Sequence, residues 1–574
     1  MIENIFIELG IIVLIAVGVS AVMRMLKQPL IIGYILTGII AGPYLLNIGV
    51  SSASIQMFSH LGIAFLLFIA GLSLSPNLIK SVGKVSVFTG ILQMLSTFIP
   101  GFLLSMYFGF TFIESMYIAL ALAFSSTIII VKLLSDKDKL ETLYGRIILG
   151  ILVVQDIAAI VALMVISSFA GGIYSLNITV NTLLKGVGML TLVIIFSLLV
   201  LPKLHEKIAK SQEFLLLFSI GWLLLISAIF SYLQFSVEIG ALIAGITLAG
   251  SPYSYEIKAK MKSLRDFFIL FFFVLLGSQM VFSSLEAYLV PILIFSAVVI
   301  VGTPLIVISV MGAMRYTKRN SFLTGISIAQ ISEFSFILVA LGVSVGHLDN
   351  AILSMVTAIG LVTFLVSTYL IEHADTIYHI FSEHLKFFER KGPWAEGEHL
   401  EHPNHDHEII MFGCNRTGYA LLDAIKKLKK KFLIIDHNPE IISDLFEKGY
   451  HCKYGDANDL ELLSSIEFEN ADMVISTIPD LETNLLIINQ AKEENEDIII
   501  ITVAHQIDEA LQLHDDGATY VLMPYFLGAE YASTLIERDG INLKKFMKEK
   551  AKQMENLQKR KEMKHRHPKR EKER

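Results

Sequence analysis

Long apolar runs, more than any other feature, limit what this 574-residue chain can fold into. Runs of roughly 17–25 residues, the length a helix needs to cross a bilayer, recur near 4–23, 30–47, 57–74, 85–108, 113–134, 145–169, 179–201, 213–233, 236–250, 266–284, 290–313, 321–345 and 349–371. Thirteen spans are predicted, the ninth of them short. The basic residues test that count independently, because cytoplasmic loops gather Lys and Arg. Of the 19 in positions 1–371, 18 follow odd-numbered spans, from Arg24 and Lys27 to Arg315, Lys318 and Arg319; Lys185 is the exception. The alternation places the N-terminus outside and everything after span thirteen in the cytoplasm.

Thirteen is six plus one plus six. Two six-helix halves joined by one crossing helix must be inverted relative to each other, an arrangement common among secondary transporters. Span seven becomes the linker and span twelve the counterpart of span five. A cleavable signal is not expected, since Glu3 and Glu8 stand where a signal peptide carries basic residues. Two cysteines, Cys414 and Cys452, cannot form a disulfide scaffold.

Charge separates the rest of the chain from its first part. Residues 1–371 net +4, 372–543 net −20 and 544–574 net +9. Positive charge confined to the tail argues against a nucleic-acid partner. Residues 372–407 carry Gly-Pro-Trp and seven histidines and read as a linker; His402, His405 and His407 could ligate a metal but lack the spacing of a strong site. From 408 short apolar strands alternate with helical segments to about 540, which predicts a doubly wound parallel sheet, a Rossmann-like domain. A basic tail, 541–574, follows and is expected to be helical at first.

Ionisable residues in mid-span are costly and are functional candidates by default. Two stand out: Asp156, beside Gln155 in span six, and Glu333 in span twelve. Glu238 opens span nine at the outer side, where it reaches water, and Lys132 and Arg146 snorkel. Span five carries Ser125, Ser126 and Thr127 at its centre, and span twelve carries Ser327, Gln330 and Ser332. Hydroxyls and amides at the midplane of two symmetry-related spans predict crossing helices that unwind there, since freed backbone groups need partners inside lipid. A carboxylate in such a cavity can hold a proton or a dehydrated cation, but not both comfortably, and that competition is exchange. No midplane Lys, Arg or His in span eleven could pair permanently with Asp156, so one titrating charge favours electroneutral exchange.

These residues resemble the monovalent cation:proton antiporter-2 family, and in particular its Kef-type potassium/proton branch. The carrying segments are Phe124-Ser-Ser-Thr, Leu152-Val-Val-Gln-Asp-Ile-Ala-Ala-Ile, Gly240-Ala-Leu-Ile-Ala-Gly, Phe271-Phe-Phe-Val-Leu-Leu-Gly and Ala329-Gln-Ile-Ser-Glu-Phe-Ser-Phe. The resemblance implies an elevator-like K+/H+ antiporter in the cell membrane, usually a homodimer through membrane and regulatory domains, with an ancillary regulatory subunit as a further partner. It implies Asp156 as the alternating carrier, with Gln155 beside it. Na+/H+ exchange is the alternative, because the Asp156 site alone does not separate the two ions. Span twelve departs from the family where Ser332 stands in place of a frequent Gly.

The second part is similar to the nucleotide-binding regulatory domain of Kef-type antiporters and potassium channels. Gly413-Cys-Asn-Arg-Thr-Gly418 occupies the place of the G-x-G-x-x-G fingerprint, with Asn415 for the middle glycine and Thr417 before the last. Asp436, 18 residues past Gly418, is placed to accept from ribose hydroxyls, with His437 next to it. Tyr454-Gly-Asp-Ala457 matches a second family signature and brings Gly455, Asp456 and Ala457 to the adenine or ribose; Arg416 is a phosphate candidate and Thr477 ends the fourth strand. NAD(H) or an adenosine nucleotide (AMP, ADP or ATP) is expected as an effector rather than a substrate, so no enzyme is expected. A potassium channel would need a Thr-Val-Gly-Tyr-Gly filter, which the sequence lacks.

Overall fold

A computed structural model describes residues 5–48, 53–73, 84–137, 139–140, 142–169, 212–232, 237–249, 251, 253–388, 407–414 and 418–562. The chain divides into two compact units, the first holding Met1–Leu140 and Tyr144–Gly392, the second Glu141–Leu143 and Pro393–Arg574.

Among its described residues, the first unit is built of helices and no strands. Its helices are α1 (Ile5–Met25), α2 (Leu30–Ala41), α3 (Ala53–Ser73), α4 (Lys84–Tyr107), α5 (Phe112–Ala123), α6 (Thr127–Asp136), α7 (Leu143–Phe169), α8 (Gln212–Tyr232), α9 (Val237–Ala249) and α10 (Ser254–Ser278). After a short turn of helix at Phe282–Leu285 come α11 (Leu289–Ala297), a π-helical turn at Val298–Gly302, α12 (Thr303–Ala313), α13 (Lys318–Ser327), α14 (Glu333–Ser344), α15 (Asn350–Glu372) and α16 (Ala374–Leu385). Twelve of the thirteen expected spans fall on these helices, and eight are long and apolar enough to cross a membrane. Span seven, 179–201, lies outside the described residues.

Two helices depart from the apolar runs that announced them. α10 begins at Ser254, twelve residues before the run at 266, so Lys258, Lys260, Lys262 and Arg265, expected in a loop, are helical. The run measures the part of a helix that needs lipid, not the helix. Likewise the expected linker opens as a helix: α16 packs on α13 through Arg319 and Asp375, 3.0 Å apart, and through the Phe322 and Tyr378 rings. His399, His402 and His405 lie outside the described residues.

Lipid gives helices no hydrophobic reason to associate, so close backbone packing at small residues takes its place. A Cβ on Gly245 would strike the Phe68 carbonyl, and one on Gly71 the Leu242 carbonyl, which locks α9 and α3 face to face. Gly38 and Gly277 do the same for α2 and α10 against Val274 and Ile35. The glycines of the Gly240–Gly245 and Phe271–Gly277 motifs are therefore packing residues.

The second unit carries a six-stranded parallel sheet of β1 (Ile409–Phe412), β2 (Phe432–Asp436), β3 (Cys452–Tyr454), β4 (Met473–Ser476), β5 (Ile499–Val503) and β6 (Tyr520–Leu522), in the order β3-β2-β1-β4-β5-β6. Between the strands run α17 (Gly418–Lys427), α18 (Pro439–Glu447), α19 (Leu460–Ser464), α20 (Leu481–Glu494) and α21 (Ile507–Asp515), followed by α22 (Pro524–Asp539) and α23 (Leu543–Glu562). This is the doubly wound order, and its direction reverses between β1 and β4, where such folds open a ligand crevice. α19 and α22 were not expected from the sequence; the first is only five residues long, and the second follows the last strand with no further strand to announce it.

Candidate functional sites: a crossed-helix carboxylate pair and a Rossmann turn

Spans five and twelve both unwind, as expected. α5 stops at Ala123 and α6 restarts at Thr127; α13 stops at Ser327 and α14 restarts at Glu333. Each restart is capped by its own serine: Ser126 accepts from the Ile129 N–H at 3.3 Å, and Ser332 from the Phe334 N–H at 3.1 Å. The breaks cross and are tied directly to each other. The Ser125 hydroxyl donates to the Ile328 carbonyl at 2.9 Å, and the Ser335 hydroxyl to the Ala121 carbonyl at 2.6 Å. Carbonyls left without helical partners on each span are thus satisfied from the other.

Both carboxylates converge on the N-terminus of α6. The Thr127 hydroxyl, on the first residue of that helix, lies 3.1 Å from each oxygen of Asp156, so one proton is shared in a forked hydrogen bond. Glu333, first residue of α14, lies close to the Ser126 side chain and the Ile128 backbone. It therefore faces two helix N-termini, where unpaired N–H groups and the dipole favour negative charge. The two acids differ in access: Asp156 is half-buried, whereas Glu333 is 2% exposed and its Oε2 has no partner among the described atoms. A fully buried acid is a fixed charge or a fixed proton; a half-buried one can exchange its occupant.

The other residues expected to bind ions are engaged with the breaks and with neighbouring side chains. Gln155 accepts from the Ser125 N–H at 2.9 Å and donates to Gln93 Oε1 at 2.6 Å, so both ends of its amide are taken. The Ser125 and Ser126 hydroxyls are engaged as described, and Gln330 accepts from Ser367 at 2.6 Å while its Nε2 is buried without a partner. Three contributors were missed in the sequence: Gln93 on α4, and Thr363 and Ser367 on α15, with Thr363 accepting from the Ile331 N–H at 3.5 Å. Gln93 was legible as an amide mid-span; the α15 hydroxyls were not, because they are spread along an ordinary span.

In the second unit the expected nucleotide residues gather at the C-terminal ends of β1 to β4. Gly413 ends β1 with φ +82°, and a Cβ there would meet Thr477 Oγ1 at 2.7 Å. Thr477 donates back to the Gly413 carbonyl at 2.9 Å, which closes the crevice between β1 and β4. A Cβ on Gly418 would strike the Gly413 carbonyl, so both glycines are required by the tight turn. Asn415, Arg416 and Thr417 lie outside the described residues. Asp436, 3% exposed, faces the turn: one oxygen accepts from the Cys414 N–H at 2.7 Å, the other from the Asn438 N–H at 2.9 Å. His437 is surface-exposed, with Nδ1 3.8 Å from Asp436. The Gly455 N–H bonds the Asp436 carbonyl at 3.1 Å, Asp456 caps its own turn through the Asn458 N–H, and Ala457 is buried. Burial, then the Asp436 charge, pushes the Cys414 thiol up to about 12, so it is an inert neighbour of the turn.

Two crossed broken helices, one carrying Glu333 and the other meeting Asp156 of α7, joined in one chain to a Rossmann-like domain, define a membrane ion exchanger with a C-terminal TrkA-N-like domain. The chain belongs to the family described as "Sodium/hydrogen exchanger, transmembrane", which matches residues 11–373, and carries a TrkA-N domain over 409–524. It is a multi-pass cation/proton antiporter of the Kef type. The glutathione-regulated potassium-efflux system protein KefC of Enterobacter sp. (strain 638) is 26% identical over 512 residues, covering 87% of this chain and 79% of that one. YbaL of Escherichia coli (strain K12) is 25% identical over 523 residues, covering 88% and 92%. Among solved structures, the sodium proton antiporter MjNhaP1 of Methanocaldococcus jannaschii covers 67% of this chain and 98% of its own at 19% identity, TM-score 0.46. The TrkA-N domain of Escherichia coli ybaL covers 24% and 98% at 27% identity, TM-score 0.22.

Proposed function

We propose that this antiporter exchanges one K+ for one proton across the cell membrane, with Asp156 as the alternating carrier, its N-terminus outside and its C-terminal domain in the cytoplasm. One observation supports this most: Asp156 is half-buried and its described hydrogen bonds come from the single Thr127 hydroxyl. A carboxylate so thinly supported gains a proton or a monovalent cation at little cost to its surroundings. Glu333, buried beside two helix N-termini, is the second acid at the crossing and has no cycling role in this proposal. Since one accessible acid cycles, exchange is one for one and electroneutral. An elevator-like movement of a homodimer fits the α5–α6 and α13–α14 breaks, which are bonded to each other and would travel as one body.

The second domain is proposed to bind NAD(H) or an adenosine nucleotide as an effector. The residues present fit such a ligand: the turn at Gly413 and Gly418 has no room for side chains, which lets phosphate approach backbone N–H groups. Asp436 keeps one lone pair on each oxygen for ribose hydroxyls. In this reading the ligand acts as a regulatory effector and not as a substrate. Na+ for K+ is a second reading, favoured by the family's own description.

Everted vesicles test the reading. Asp156→Asn is expected to abolish dissipation of a proton gradient by K+, Na+ and Rb+ alike, and the ion that works best on the wild type names the substrate. Persistent cation-dependent dissipation in the variant would remove Asp156 from the carrier role.

A further inference from the structure

The break in span five strands two backbone groups, the Ser125 N–H and the Ala123 carbonyl, inside the protein. Both are met by side chains from other spans. The Ser125 N–H donates to Gln155 Oε1 at 2.9 Å, and Gln155 Nε2 donates to Gln93 Oε1 at 2.6 Å. Gln93 Nε2 then donates to Thr97 Oγ1 at 3.2 Å and, more distantly at 3.5 Å, to the Ala123 carbonyl. The circuit begins and ends on the same break and crosses α4 and α7 on the way. All its members are buried, Gln93 and Gln155 at 1% exposure.

The direction of every bond follows from one obligatory donor. A backbone N–H can only donate, so Gln155 turns its oxygen to Ser125 and its NH2 to Gln93. Gln93 must answer with its own oxygen, which sends its NH2 back to Ala123. Gln93 thus fixes which way Gln155 faces. Asp156 is the next residue after Gln155, and Thr127 lies two residues after Ser125. The clamp therefore sets both sides of the Thr127–Asp156 hydrogen bond. The break in span twelve differs: there Gln330 accepts from Ser367 but leaves its Nε2 unpartnered, so no closed circuit forms.

We propose that Gln93 is a positioning residue for exchange, which holds Gln155 and the span-five break so that Thr127 meets Asp156 in the geometry that selects the cation. The inference rests on the reading of Asp156 as the carrier. In this proposal both glutamines act through the circuit, each oxygen accepting one of its hydrogen bonds.

A glutamate at this position separates positioning from mere packing. Protonated, Gln93→Glu keeps one acceptor for Gln155 and one O–H donor for Ala123, so the circuit closes; ionised, it has no donor and the circuit opens. Apparent KM for K+ and maximal rate are to be measured in everted vesicles across pH for the wild type, Gln93→Leu and Gln93→Glu, with thermal stability in detergent alongside. Gln93→Leu is expected to raise KM about tenfold at every pH, the effect of one unsatisfied buried amide, with a smaller change in maximal rate. Gln93→Glu is expected to match the wild type at acidic pH and to lose cation affinity at alkaline pH, a step absent from both other proteins. A Gln93→Glu profile parallel to the wild type overturns the proposal, as does an equal loss of KM, rate and thermal stability in Gln93→Glu at all pH values. If Gln93→Leu does not fold, the Gln93→Glu profile decides alone. Unimpaired exchange by Asp156→Asn, by contrast, would sink the carrier reading while the pH step of Gln93→Glu still reports on the clamp.

Discussion

At the scale of single residues, the proposed ion site depends on how few donors meet Asp156. Thr127 Oγ1 is 3.1 Å from both carboxylate oxygens, and a hydrogen bond to a charged group contributes about 1.5–3 kcal/mol. Thr127→Val is therefore expected to shift the apparent affinity for the cation by roughly 10- to 100-fold, whereas Thr127→Ser, which keeps the hydroxyl, should stay near the wild type. Cation titrations of proton-gradient dissipation check this, and equal affinity in all three proteins would contradict the role. Asp436 acts on the other domain in a comparable way. Its carboxylate holds the Cys414 N–H of the glycine turn, so Asp436→Ala should weaken nucleotide binding measured by calorimetry on the full chain and leave basal exchange intact. Binding unchanged from the wild type would mean that the turn holds its shape without the carboxylate.

At the scale of elements, the first unit is assembled by backbone contact at small residues. Gly245→Leu would drive a side chain into the Phe68 carbonyl, where neither helix can yield without separating α3 from α9. Overpacking of this kind costs about 1–3 kcal/mol or more, to be seen as a lowered unfolding temperature in detergent; an unchanged temperature would show that the helices are not locked there. The helix breaks were legible as elements before their geometry was. Ser125-Ser126-Thr127 and the Ser and Gln residues around Glu333 signalled unwinding because hydroxyls at a midplane need a reason. Which residue satisfies which backbone group was not legible. Gln155 looked like an ion ligand because it adjoins Asp156, yet a residue one step along a helix points about 100° away, and here that direction leads to the break.

At the scale of the whole molecule, the proposal of one cycling acid predicts electroneutral exchange. An imposed membrane potential is expected to leave the rate of K+-driven proton movement unchanged in reconstituted vesicles; acceleration by potential would require a second charge to move, and Glu333 would be the first suspect. The sequence by itself determined the spans that it announced by apolar length, the two-part organisation and the parallel sheet, because all of these follow from local composition and period. It also singled out Asp156 and Glu333, since a charge in an apolar run is visible without a fold. The tertiary structure alone decided what those charges do. It brought residues 127, 156 and 333 to one helix N-terminus, left Asp156 less deeply buried than Glu333, and set Gln93 and Gln155 against the span-five break. Such assignments depend on which faces of distant helices meet, and no window of sequence carries that information.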